Sequence, residues 1–333
     1  TTQITSSDGN VSVTGTGGGT GTSKENHGVS TSGKITAAAA GTVTVVGQGG
    51  TAPSGHNNMG VYIPSGEISS SNGAVSVTGT GGGSGASTTN FGLYIITAGT
   101  ISAGGSAPTT IIGKGGTGSS GASNFGVLCV SDQTMITSGG GNVSVTGVEG
   151  TGPSGTGIVH GNLAAITTAA DGGNIELIAN SIDLQTTASV GTNAAGSVTL
   201  RPYTNGAQIN LGSASDPIGG PLRLSDAELD LVTGGTIIIG NANSGAITVS
   251  AAITRAAATN VELRSGGDVT FSGGGINTGG GTLLLDPGTS PAAVKPTFTG
   301  TDATASTVSF ASDLAIVING TTPGDGSGST YTQ

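Results

Sequence analysis

Short runs in which apolar and polar residues alternate recur along the chain. In Val11-Ser12-Val13-Thr14 the valines point one way and the hydroxyls the other, the period of a half-buried β-strand. The same texture returns in GTVTVVG (41–47), GAVSVTG (73–79), APTTIIG (107–113) and GNVSVTG (141–147), and their final glycines are Gly15, Gly47, Gly79, Gly113 and Gly147. An Ile opens each unit at Ile4, Ile35, Ile68, Ile101 and Ile136, and again at Ile166. An Asn-x-Gly-Val/Leu motif follows at Asn26, Asn58, Asn90 and Asn124, with a degraded copy at Gly155–Ile158. Three markers in one order define five repeats of about 33 residues over 1–165.

A period near 33 also suits helical arrays, but 66 glycines and scarce Leu, Glu and Lys exclude them. Each unit offers three short strands separated by Gly-rich turns. Repeated coils of three strands predict an all-β fold, a parallel β-helix or β-solenoid stacking like residues about 4.8 Å apart. The expected inward columns are Val11, Val43, Val75 and Val143; Val13, Val45, Val77, Ile111 and Val145; Val29, Val61, Leu93 and Val127; and Ile63, Ile95 and Cys129. Cys129 is therefore a small buried apolar residue rather than a nucleophile. The Asn column either forms a side-chain amide ladder or holds left-handed turns. The stretches after VSVTG read as flexible loops projecting from one edge. GKGGTG is no phosphate loop, because Lys114 is followed by Gly115 and Gly116 and opens no helix.

Beyond Ile166 the period fades while strands continue, at 175–179, 182–185, 197–201, 208–212, 236–240, 246–250, 261–265, 268–272 and 282–286. Residues 166–286 are expected to continue the solenoid in larger, irregular coils. Ser225-x-x-Glu228 has the form of a capping box, so a short helix is expected over 225–234, ended by Gly234. The competing reading is an acidic strand with Asp226, Glu228 and Asp230 on one face, available to a divalent cation. Residues 287–303 read as a Pro-rich connector. Residues 304–333 read as terminal β-strands closing in a hairpin, with a role in contacts between subunits.

Composition narrows the function. The chain holds one Cys, no Trp and 8% charged residues, and its net charge is −10. There is no basic patch for nucleic acid and no apolar run of the roughly 18 residues a membrane helix needs. A disulfide scaffold is excluded, and a lone Cys suits an oxidising exterior. A polysaccharide-acting enzyme would need paired carboxylates in an aromatic groove. Glu176, Asp183, Asp226, Glu228, Asp230 and Arg201 show no such spacing, and nine Phe and Tyr look scattered. His27, His56 and His160 fall in different columns, which argues against a metal site. Ice-binding Thr ladders are interrupted at Val46, Gln48, Ile112 and Lys114, and the calcium nonapeptide is absent. No catalytic, cofactor-binding or metal-ligating residue is assigned, and no cofactor is expected.

The repeats, with VSVTGTGG followed by NMGVYI or NFGLYI, resemble those of large bacterial exoproteins of the filamentous haemagglutinin and autotransporter-passenger type. SVTLRPYTNGAQINLG, LSDAELDLVTGGTIIIG and VELRSGGDVTFSGGGINTGGGTLLLDPG are similar to other parts of such proteins. The resemblance implies a right-handed parallel β-helix at the bacterial surface or outside the cell, serving adhesion or a biofilm matrix. The expected function is a non-enzymatic structural or adhesive fibre segment. Its expected partners are further copies of itself, joined head to tail or by strand addition, and surface glycans or proteins of a host or neighbouring cell.

Overall fold

The computed structural model describes residues 2–169, 173–213, 220–286, 297–299, 303–305, 307–310, 317–319 and 330–332. The chain winds as a parallel β-solenoid. Every strand pairing among the described residues is parallel, and most strands bond to the coil before and the coil after. Three walls stack side by side. The first has eight strands, from Gln3–Ser6 to Val232–Thr233; the second has twelve, from Val11–Thr16 to Thr330–Thr332; the third has six, from Val29–Ser30 to Ile182–Leu184. Four-stranded and three-stranded parallel sheets, built from Ile209–Leu211 onward, accompany the later coils of the second wall.

Register follows the markers. Ile4, Ile35, Ile68, Ile101, Ile136 and Ile166 stand one above another. In the second wall Val11 pairs with Val43, Val43 with Val75, Val75 with Thr109, Thr109 with Val143 and Val143 with Ile175. The interior is one continuous apolar column containing Val43, Val77, Ile101, Ile111 and Leu177, all wholly buried. Each such side chain contributes roughly 1.5–3 kcal/mol by leaving water. Alternation inside a strand selects which residues enter the column, so the fold needs no other sorting device.

After Ile175 the coils become shorter, not larger as the sequence suggested. Ile175 pairs with Val198, Ile237 with Val261 and Val261 with Leu283. The saving comes from the turn between the second and third walls. It takes residues 17–28 in the first coil but only 179–181 after Ile178. One step is long, from Val198 to Ile237, and it contains the helix.

That helix is Asp226–Asp230, with Ser225 as N-cap and a complete capping box. Ser225 Oγ accepts from the Glu228 amide at 3.2 Å, and the Ser225 amide donates to Glu228 Oε2 at 2.9 Å. It stops at Leu231, short of Gly234, because Val232–Thr233 joins the first wall beside Val190 and Gly191. The acidic-strand reading of this segment is overturned.

Three other expectations change. The Gly-rich stretches do not project as flexible loops. The amides of Gly50, Gly82, Gly116 and Gly150 donate to the carbonyls of Asn26, Asn58, Asn90 and Asn124 at 2.7–2.8 Å, so the loops stack coil on coil. The supposed connector contains the strand Thr297–Thr299, paired with Val317–Asn319; 287–296 lie outside the described residues. The chain's last strand, Thr330–Thr332, pairs in parallel with Thr307–Ser309 and so does not close a hairpin, while the turn at 321–329 lies outside the described residues.

Candidate functional site

The Asn motif builds one flank of the solenoid. Asn26 Nδ2 donates to Asn58 Oδ1 at 2.7 Å, Asn58 Nδ2 to Asn90 Oδ1 at 2.9 Å, and Asn90 Nδ2 to Asn124 Oδ1 at 2.9 Å. Asn58, Asn90 and Asn124 are buried. Of the two readings of this column, the amide ladder is the one the asparagines adopt. The left-handed backbone lies one residue earlier, at Glu25, Asn57, Thr89 and Ser123, with φ of 57°, 62°, 61° and 61°.

Just past each Asn stands His27, Met59, Phe91 or Phe125, and three residues after Met59 and Phe91 come Tyr62 and Tyr94. These columns meet in an open groove of about 460 Å³ lined by Glu25, His27, Asn57, Met59, Tyr62, Thr89, Phe91, Tyr94 and Leu128. Phe91 and Phe125 stack at 5.1 Å between ring centroids, and Tyr62 and Tyr94 stack at 5.4 Å. Phe91 meets Tyr94 edge to face, with planes at 82°. His27 lies against Tyr62 at 5.0 Å. Such offset and edge-to-face pairs are the favourable aromatic geometries.

Four of the nine aromatic residues therefore gather here, and the impression of scatter is corrected. Alternation alone would send residues three apart to opposite faces. Phe91 precedes the wall strand Leu93–Ile95, so its direction is set at the corner rather than by the strand. The recurring aromatic two places after the motif glycine, Tyr62 after Gly60 and Tyr94 after Gly92, was the available signal.

Electrostatically the groove has a single charge of its own, Glu25 at the exposed rim, and no Lys or Arg lines it. Burial holds His27 below the ordinary imidazole value, against the opposing pull of Glu25. Burial raises the Tyr94 phenol, and the neighbouring Tyr62 adds to the shift.

The acidic and basic candidates do not gather in one site but are spread over separate contacts. Glu176 is ion-paired with Arg201 at 2.5 Å on the outer face of the second wall. Asp226 Oδ1 accepts from the Thr254 amide at 2.7 Å, and Asp230 faces Arg255 at 3.5 Å. Arg255 also donates to the carbonyls of Leu229 and Val232, tying the helix end to the next coil. Glu228 turns inward, where burial raises its carboxyl although Ser225 and the Leu184 amide hydrogen-bond to it. Asp183 lies close enough to Glu228 to add to that rise, and accepts from Gln185 at 3.3 Å. Among the described residues no three His, Cys, Asp or Glu side chains form a metal-sized cluster.

The histidines separate likewise. His27 Nδ1 faces the Met59 amide at 3.4 Å and His56 Nδ1 faces Thr88 Oγ1 at 2.9 Å. His160 takes the place below Cys129 in the column of Ile63 and Ile95, a position the degraded fifth repeat concealed. It is wholly buried, its Nε2 donates to the Ser189 carbonyl at 3.0 Å, and Nδ1 has no hydrogen-bond partner. Burial pushes its pKa down to about 4. Cys129 is fully enclosed, and burial pushes its thiol up to about 12.

Comparison with known proteins adds no neighbour. No family model, curated protein or solved structure matches the chain.

Proposed function

We propose that the chain is a non-enzymatic structural and adhesive element of the bacterial exterior, a β-solenoid segment of a surface fibre or biofilm matrix, associating with further copies along the solenoid axis. The observation that carries this reading is the twelve-strand parallel sheet running through the molecule, with the Ile and Asn ladders in step beside it. Such a body is quasi-one-dimensional: each coil depends on its neighbours, and length is added without changing the core. Eleven coil steps of the second wall span roughly 53 Å at about 4.8 Å each. A rod of this kind displays the same side chains at regular intervals, which suits attachment to repetitive surfaces.

Cryo-electron microscopy of the purified chain tests this. Rods with a layer spacing of about 4.8 Å, lengthening into filaments as concentration rises, support the reading. Monomers that stay single at high concentration overturn self-association, and turnover of a polysaccharide substrate overturns the non-enzymatic assignment.

A further inference from the structure

We propose that the groove over Tyr62 and Tyr94 is a binding site for a neutral polysaccharide laid along the solenoid axis. The inference deepens the adhesive reading and rests on it for its biological setting.

The groove offers the two surfaces a sugar chain needs. Its floor is apolar, formed by Met59, Phe91 and the half-buried Leu128. Its rim is polar, formed by Glu25, Asn57 and Thr89. Tyr62 and Tyr94 are half-buried between them, and among the described residues neither phenol oxygen has a hydrogen-bond partner in the protein. Two adjacent tyrosines with apolar bodies packed and polar tips unused match a ligand that alternates C–H faces with hydroxyls.

The arrangement also repeats. Each of three successive coils supplies one polar rim residue in the left-handed conformation, Glu25, Asn57 or Thr89, and one residue of the His27, Met59 and Phe91 column. Left-handed backbone costs free energy in residues other than Gly, yet it recurs at the same place in each coil. A site that repeats about every 4.8 Å along an axis suits a polymer of repeating units better than a compact ligand.

Charge selects among polymers. With Glu25 as the lining charge, no Lys or Arg in the groove and a net charge of −10 on the chain, sulfated or uronate-rich glycans are repelled. Groups that donate to Glu25 and Asn57 without carrying negative charge are favoured, and the hydroxyls of neutral glycans are such groups.

Calorimetric titration with cellohexaose, chitohexaose and mannohexaose, beside heparin hexasaccharide, tests the site in the intact chain. At least one neutral hexasaccharide is expected to bind saturably, with heparin hexasaccharide weaker. Tyr62→Ala and Tyr94→Ala are expected to weaken binding about tenfold, the size of one lost aromatic contact. Tyr94→Phe keeps the ring and tests the hydroxyl alone. Tyr203→Ala, which removes an exposed aromatic from a separate depression beside Lys114 and Arg201, is expected to change nothing. Circular-dichroism melts show whether each variant is folded. Absence of binding by all three neutral probes, preference for heparin, or wild-type affinity in folded Tyr62→Ala and Tyr94→Ala overturns the site. Loss of the site with rods still formed leaves the structural reading standing. Shortening of a bound probe supports the site and overturns the non-enzymatic reading.

Discussion

The side-chain amide of Asn58 donates to Asn90 Oδ1 at 2.9 Å across 32 residues of chain. Asn58 also accepts from Asn26 and donates to Ser87 Oγ at 3.2 Å, so its amide is engaged on both sides in a buried stack. A buried amide is costly unless every donor and acceptor is used, and here each coil supplies the partner of the next. The ladder thus couples the flank that carries the groove to the stacking of the walls.

Asn58→Ala removes one rung: Asn26 Nδ2 loses its Asn58 acceptor, while Asn90 Oδ1 loses the side-chain donor of Asn58 and keeps Ser87 Oγ and the backbone amide of residue 58. The expected loss is about 1–3 kcal/mol in urea unfolding, the cost of stranding buried polar partners. Asn58→Asp should be worse, because it buries a charge and deletes both donors.

Gly79→Ala is expected to destabilise by about 1–3 kcal/mol or more, through overpacking. A Cβ there would run into the carbonyl of Gly92 and come within 2.7 Å of its carbon. The same opposition recurs between Gly47 and Gly60 and between Gly113 and Gly126, so the final glycine of each VSVTG unit marks where two walls approach backbone to backbone. The same urea titration checks it, with Ser76→Ala on the outer face expected to be nearly neutral.

His160 makes stability depend on pH. Its folded pKa is about 4, below the ordinary 6.5, so the folded state binds fewer protons than the unfolded one. The contribution is fully present above about 6.5 and is lost as pH falls toward about 4. The loss approaches roughly 3 kcal/mol, each pKa unit being worth about 1.4. His160→Leu, which copies the buried Leu184 of the next coil, should flatten the difference between melting temperatures at pH 7 and pH 4.5.

Cys129 should be inert in the native chain. Its thiol is enclosed and held protonated up to about pH 12, so no thiolate forms at pH 8. Iodoacetamide at pH 8 is expected to leave the folded protein unlabelled and to label it fully in denaturant. Rapid labelling of the folded chain would contradict the inward position of this column.

Much of the architecture was legible in the residues. Alternation in VSVTG placed Val11 and Val13 inward, and repetition at 32 to 34 residues placed Val43 and Val45 above them. The capping box at Ser225 and Glu228 announced the helix. Its end was misread, because Gly234 signals only that a helix can stop there, whereas pairing of Val232 with Val190 stops it earlier. Coil length in the second half was also misjudged, since strand texture carries no measure of the turns between walls.

Where the repeat markers are kept, sequence alone determined which side chains enter the core and which coil stacks on which, because a period of two and a repeat near 33 are properties of the chain read in order. Tertiary structure decided what the corners assemble. Tyr62 and Tyr94 are 32 residues apart, and Phe91 is three residues from Tyr94 on what a regular strand would make the opposite face; only the winding of the coils sets these rings in one groove. It likewise decided that Glu228 turns inward while Asp226 and Asp230 find separate partners, and that His160 stands in the apolar column. The physical reason is the same in each case. Local periodicity governs residues within a strand, but turns and insertions have no period, so the company their side chains keep is settled by the stacking of distant coils.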